Sequence, residues 1–172
     1  MKINVVLYQP EIPQNTGNIM RTCMASDTTL HLIEPLGFEL SEKTLKRASM
    51  DYLLALDYLV YSSWEEFLNK NQGQLVFISR YAKKAPTEYD FKNINEDIYL
   101  VFGKESTGIP YEILHQHLAD CIRIPMVAEA RSLNLSNCVA LMVYHVLAEF
   151  DYLNLSKSEF LKGENWIYNQ RK

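Results

Sequence analysis

Short apolar, β-branched runs alternate along this chain with polar turn clusters and with stretches of helical spacing. Ile3–Tyr8, closed by Gln9-Pro10, predicts a buried strand. The turn cluster at 13–18 leads into apolar positions Ile19, Met20, Cys23 and Met24, which predict a helix capped by Asn15 or Thr16. Further strands are expected at 30–34, 56–61, 74–79, 97–102 and 121–124, and helices at 41–50, 64–70 and 111–117. Residues 81–95 are polar and read as loop. The longest helix is predicted over 135–150, where Leu135, Val139, Met142, Val146 and Phe150 form one stripe. Strands alternating with helices predict an α/β fold with a parallel sheet covered on both faces. The chain shows no repeat or linker. It reads as one domain over 1–153, followed by a polar tail over 154–172 that carries Phe160, Leu161, Trp166 and Tyr168 and is expected to dock as a short helix or cover a partner surface.

Composition narrows the class. A chain of 172 residues with 48% hydrophobic and 22% charged residues builds an ordinary globular core and excludes disordered or collagen-like classes. The formal net charge of −4 offers no global attraction to a polyanion, so any RNA site has to be a local basic patch. Cys23, Cys121 and Cys138 are scattered and odd in number, without a Cys-x-x-Cys pair. They read as reduced thiols rather than a zinc site or a disulfide framework. The apolar run at the start is too short for a signal peptide or a membrane span, so a cytoplasmic protein is expected.

Three loops follow predicted strands, where ligands bind in open α/β sheets. The first is Asn15-Thr16-Gly17-Asn18-Ile19-Met20-Arg21, with Arg21 one helical turn beyond Gly17. Read alone, Asn15 and Asn18 suit a cap and turn. The second is Phe102-Gly103-Lys104-Glu105-Ser106-Thr107-Gly108-Ile109-Pro110, whose glycines allow close backbone approach. Glu105 reads there either as a site carboxylate or as a solvated one. The third runs from Ile124-Pro125-Met126 through Arg131-Ser132-Leu133-Asn134-Leu135-Ser136-Asn137. One helix needs one cap, so the surplus hydroxyls and amides, with free N–H groups at the helix start, suit a polar ligand. There is no Gly-x-Gly-x-x-Gly after a strand and no Gly-Lys-Ser/Thr loop. His115 and His117 fall on different faces of a predicted helix, a poor metal pair, and no metal is expected. His31 and His145 lack a nucleophile arrangement.

In this order, the three loops resemble the three motifs of the SPOUT-class RNA 2′-O-ribose methyltransferases: Asn-x-Gly-Asn-x-x-Arg, Phe-Gly-x-Glu-x-x-Gly-Ile-Pro and Ile-Pro-Met…Arg-Ser-Leu-Asn-Leu-Ser-Asn. Tyr8-Gln-Pro-Glu-Ile-Pro, His31-Leu-Ile-Glu-Pro-Leu-Gly-Phe and Lys46-Arg-Ala-Ser-Met-Asp-Tyr52 look like the minimal, single-domain branch that modifies tRNA position 34. The likeness spans residue 2 to about 153. It departs from the pattern at Arg80-Tyr81-Ala82, Thr107 and His145.

The resemblance implies a parallel-sheet SPOUT fold with a deep C-terminal trefoil knot, a topology that general rules would reject. It also implies a homodimer with a pocket shared between subunits, and S-adenosyl-L-methionine held near Ser79, Gly103, Ile124, Ser132 and Leu133. The implied reaction is 2′-O-methylation of cytidine or modified uridine in the anticodon region of tRNA, with Arg21 catalytic and Asn15, Glu105, Ser132 and Asn134 around it. Arginine has no acceptor and stays protonated, so Arg21 reads as a cation that stabilises alkoxide charge, the proton leaving through phosphate, water or Glu105. Lys43, Lys46, Arg47, Lys104 and Arg131, with Lys83 and Lys84 nearby, supply a candidate tRNA-binding patch. Methylation of another RNA site, or a knotted RNA-binding protein without catalysis, are the alternatives.

Overall fold

A computed structural model of the chain describes residues 1–40 and 58–170. The helix expected at 41–50, with Lys43, Lys46 and Arg47, lies outside the described residues. In chain order the described elements are β1 (Ile3–Tyr8), α1 (Pro13–Ala25), β2 (Thr29–Ile33), β3 (Tyr58–Tyr61), α2 (Trp64–Lys70), β4 (Gln74–Ile78), β5 (Ile98–Phe102), α3 (Tyr111–Gln116), β6 (Cys121–Ile122) and α4 (Leu135–Glu149). Single 3-10 turns stand at Pro86–Glu88, within the segment read as loop, and at Leu118–Asp120.

All six strands are parallel, in the order β3-β2-β1-β5-β4-β6. Val6 of β1 pairs with His31 on one side and Val101 on the other. Alternate residues of the central strands feed two separate cores. Val5, Leu7, Ile98, Leu100 and Phe102 pack with Ile19, Met20 and Cys23 of α1 and with Val139, Met142, Val143, Val146 and Leu147 of α4. Val6, Tyr99 and Val101 pack on the opposite face with Phe67 of α2 and Leu114 of α3. Burial on both faces is why these strands are continuous apolar runs rather than alternating ones. Each buried aliphatic side chain contributes on the order of 2 kcal/mol, so α4 is held mainly by its packed stripe.

Local chemistry sets the ends. Ser63 caps α2 by accepting from the Glu66 N–H at 3.1 Å. On the second face, His31 is buried, stacked on Tyr61 with ring centroids 5.7 Å apart. Its Nδ1 lies 2.9 Å from the Tyr61 hydroxyl and its Nε2 3.3 Å from Asn4 Oδ1. Burial pulls its pKa down to about 4. After α4 the chain turns rather than continuing in a helix: residues 154–170 form turns, and Leu155 alone of them packs against the core.

Candidate functional site

The strand order reverses between β1 and β5, and the crevice beyond the carboxyl ends of the strands at such a point is the natural ligand site of an open α/β sheet. Gln9 turns the chain out of β1 with a left-handed φ of 49°. Its N–H donates to the Ile33 carbonyl at 3.0 Å and its side-chain amide to the Glu34 carbonyl at 3.1 Å. Gly37 makes room for the segment that follows: a Cβ there would stand 2.7 Å from Glu11 Cα. Helix α1 then begins at Pro13, with Ile12 in the N-cap position and no side-chain cap. This corrects the expectation that Asn15 or Thr16 caps it; both are buried inside the first turns. Proline presets the first helical residue, and the missing acceptor comes from a distant loop.

That acceptor is Glu105. Its Oε2 accepts from the Glu11 N–H at 2.8 Å, and its Oε1 accepts from the Ile12 N–H at 3.2 Å and from Asn15 Nδ2 at 3.0 Å. The Glu11 carboxylate answers in the other direction, accepting from the Ser106 N–H at 2.9 Å and the Ser106 hydroxyl at 2.8 Å. Those two bonds hold the Glu11 pKa below the usual carboxylate range. Loop 103–108 is itself a tight hairpin, closed by Lys104 N–H to the Gly108 carbonyl at 3.2 Å and Gly108 N–H to the Lys104 carbonyl at 2.9 Å. Gly108 takes a φ of 77°, and a Cβ on Gly103 would lie 2.1 Å from the Gly108 carbonyl carbon. Both glycines are therefore required by the backbone path.

The third loop leaves β6, which is two residues long rather than the four expected at 121–124. Arg123 already donates its N–H to the Lys84 carbonyl at 2.8 Å, and Pro125 has no donor to extend the ladder. Asn134 is the N-cap of α4: its Oδ1 accepts from the Ser136 N–H at 2.9 Å and hydroxyl at 2.7 Å. The other end of that amide donates to Asn15 Oδ1 at 2.9 Å. Glu105, Asn15 and Asn134 thus form one continuous hydrogen-bonded line across the three loops, joining residues about ninety or more apart in sequence.

These loops enclose a cavity of about 430 Å³, within the range of small-molecule sites. Ser79, Gly103, Ile124, Ser132 and Leu133 all line it, as do Asn15, Lys104, Glu105 and Asn134. The structure leaves two expected residues outside that lining: Arg21 is exposed on the outward side of α1, and Arg131 is exposed just before Ser132. Arg80 and Arg123 join Lys104 on the wall, leaving Glu105 as the one carboxylate among the described residues that line the cavity. Sequence reasoning missed Glu11, Ser106 and Arg123. Glu11 lay in a quoted motif, but nothing local marked its partner 95 residues away. Among the described residues no helix is long and apolar enough to cross a membrane, and no group of three acidic, His or Cys side chains is placed to hold a metal ion.

The chain is similar to proteins of known kind. A relative from Geobacillus stearothermophilus, provisionally named a tRNA (cytidine(34)-2′-O)-methyltransferase, is 45% identical over 157 residues, covering 91% of this chain and all of the relative. A solved structure described as giving insight into 2′-OH methylation of C/U34 on tRNA superposes with a TM-score of 0.80 at 38% identity, over 87% of this chain and 97% of its own. An AdoMet-bound rRNA methyltransferase from Sinorhizobium meliloti superposes with a TM-score of 0.74 at 25% identity, over 86% of this chain and 56% of its own. The model of the SpoU rRNA Methylase family matches residues 2–144. With the motif loops joined at one cavity and most of the length matched, the chain belongs to the SpoU rRNA methylase family.

Proposed function

We propose that the protein is a cytoplasmic enzyme that methylates the ribose 2′-hydroxyl of the wobble nucleotide, cytidine or modified uridine at position 34, of tRNA. The observation that carries the reading is the hydrogen-bonded line Glu105–Asn15–Asn134, which joins the three motif loops at a single cavity. The relatives' names supply the substrate.

The cavity suits S-adenosyl-L-methionine by the chemistry of its lining. Phe102, Ile124 and Leu133 offer apolar surface for an adenosine, while Arg80, Lys104 and Arg123 offer charge for a carboxylate. Ser79, Gly103, Ile124, Ser132 and Leu133 would hold it, largely through backbone groups. Bound there, it supplies an electrophilic methyl group on a sulfonium. Arg21 is the catalytic residue; always protonated, it stabilises negative charge developing on the ribose oxygen and takes no proton itself. Glu105 already accepts from three N–H donors, which favours a bracing role. The proton then leaves to phosphate or water. Asn15, Asn134 and Ser132 fix the ground on which the ribose is presented, and Lys43, Lys46, Arg47, Lys104 and Arg131 meet the tRNA backbone.

The working unit is a homodimer. Arg21 lies on an exposed α1 stripe with Gln14 and Asn18, and α4, packed beside α1, exposes Leu141 (52%) and Tyr144 (42%). Exposed apolar side chains on one helix and an outward-facing cation on the helix packed against it suit a second subunit whose cavity receives that cation. A trefoil knot completes the fold. Strand β6 lies beyond β4 at the sheet edge, yet α4 packs on α1. Loop 79–84 is stitched to β6 by the Ser79 N–H to the Ile122 carbonyl at 2.9 Å and the Arg123 N–H to the Lys84 carbonyl. A chain that threads that loop on its way to α4 is knotted.

The test is transfer of labelled methyl from S-adenosyl-L-methionine to total tRNA from cells lacking this protein, with the product nucleotide mapped. Label on the ribose of position 34, lost in Arg21→Ala, is expected. Label elsewhere would overturn the assignment to the wobble position, and no label despite cofactor and tRNA binding would overturn catalysis.

A further inference from the structure

A nucleotide in a single-stranded loop can be splayed out and its base stacked on an aromatic side chain, and the polar groups that join the three loops at the cavity are committed to one another. The rim is different. Tyr81 lines the same cavity as Asn15 and Gly103, yet 72% of its surface faces solvent. The guanidinium carbon of Arg80 sits 5.3 Å from the centre of its ring. The turn that carries this pair is anchored on both sides. Ser79 takes the Tyr81 N–H on its hydroxyl and the Ala82 N–H on its carbonyl, each at 3.3 Å, and the Arg123 guanidinium donates to the Arg80 carbonyl. Three cations and a single carboxylate among the described lining residues make this wall positive in a chain whose formal net charge is −4. An exposed aromatic face on a fixed turn, backed by a guanidinium and set in a basic wall, is the chemistry that holds an unpaired base without reading its sequence.

We propose that Tyr81, with Arg80 against its ring, is the stacking platform for the base of the nucleotide whose ribose enters the cavity. The inference rests on the RNA 2′-O-methylation proposed above and names how the substrate is held. An adenine of the cofactor is the competing occupant for an aromatic ring at this site. The exposure of Tyr81 leaves its ring open to a base that arrives from solvent, and the cofactor-binding arm of the test separates the two occupants.

The experiment compares Tyr81→Ala and Tyr81→Phe with the unaltered protein. It measures steady-state methyl transfer to tRNA, calorimetric binding of S-adenosyl-L-methionine, and fluorescence of an anticodon stem–loop carrying 2-aminopurine at position 34. Tyr81→Ala is expected to raise the KM for tRNA by roughly 5- to 150-fold and to abolish the quenching of 2-aminopurine that stacking causes. Tyr81→Phe, which keeps the ring, is expected to restore both, with cofactor affinity the same in all three. The proposal is overturned if Tyr81→Ala leaves KM and quenching unchanged, if it weakens cofactor binding instead, or if Tyr81→Phe fails as Tyr81→Ala does. Because the fluorescence arm needs no turnover, quenching by a protein that transfers no methyl would refute the methylation reading while leaving the platform standing.

Discussion

Glu105 is the residue whose removal tests most directly whether the three loops act as a unit. Its carboxylate accepts three N–H donors, two on Oε1 and one on Oε2. In Glu105→Gln the amide oxygen best serves the Oε1 pair, Ile12 N–H and Asn15 Nδ2, and the new NH2 group then faces the Glu11 N–H. One charge-assisted bond is lost and two are weakened. A bond to a charged group contributes about 1.5–3 kcal/mol when buried, and less here because the group is half-exposed. The expected cost is about 1–2 kcal/mol for Gln and about 3 kcal/mol for Glu105→Ala, which removes all three acceptor contacts. Expressed in the transition state, these are roughly 5- to 30-fold and 100-fold losses in kcat. Single-turnover methyl transfer to tRNA at saturating cofactor reads the chemical step, and thermal unfolding reads any general damage. If Glu105→Ala keeps kcat within threefold of the unaltered protein while remaining folded, the hydrogen-bonded line is decoration and the role assigned to it is wrong.

Two further outcomes follow from the geometry. Gly103→Ala places a Cβ 2.1 Å from the Gly108 carbonyl carbon, so the hairpin must open; cofactor affinity measured by calorimetry should fall at least tenfold, and an unchanged affinity would mean that this wall of the cavity does not hold the cofactor. His31 is buried with its pKa lowered from 6.5 to about 4, so the unfolded chain binds the extra proton first as pH falls. Its contribution to stability is complete above about pH 6.5 and is lost as pH falls toward 4, to a total of about 3 kcal/mol, and denaturant titrations should show the fall flattened in His31→Gln; parallel pH profiles for the two proteins would count against it.

Much of the fold is legible because the sheet is buried on both faces. Ile98–Phe102 is apolar at every position, since Leu100 faces α1 and α4 while Val101 faces α2 and α3. The stripe predicted on α4 is buried at Val139, Met142 and Val146 for the same reason. What local pattern cannot carry is partnership at a distance. Asn15 looks like a helix cap because its neighbours are turn formers, but Pro13 starts the helix two residues earlier and frees its amide to bridge Glu105 and Asn134. Nothing in the local sequence marks Glu11 as the partner of Ser106, which the fold brings to it. Just beyond β6, Arg123 donates its N–H to the Lys84 carbonyl, a pairing between segments with no shared pattern. The motifs mark the loops that meet at the cavity, and the contacts between motifs show how those loops are joined.

Those contacts also bear on how the site is completed. Asn15 and Arg21 are six residues apart on α1, about one and two-thirds turns, so the two side chains leave different faces of the helix. Asn15 is buried in the line to Glu105 and Asn134, while Arg21 is exposed beside Asn18. Rotating α1 to bring Arg21 into the cavity would tear Asn15 out of it and expose Ile19, Met20 and Cys23, which belong to the core. A catalytic Arg21 therefore acts on a ribose approaching the outer face of α1, and the dimer proposed above provides a second cavity there. On this view the brace does more than shape its own pocket. By fixing the rotation of α1 it aims Arg21 outward, so in the proposed dimer a loosened Glu105 in one subunit is expected to impair the charge stabilisation that the proposed role of Arg21 offers to the ribose held by the other.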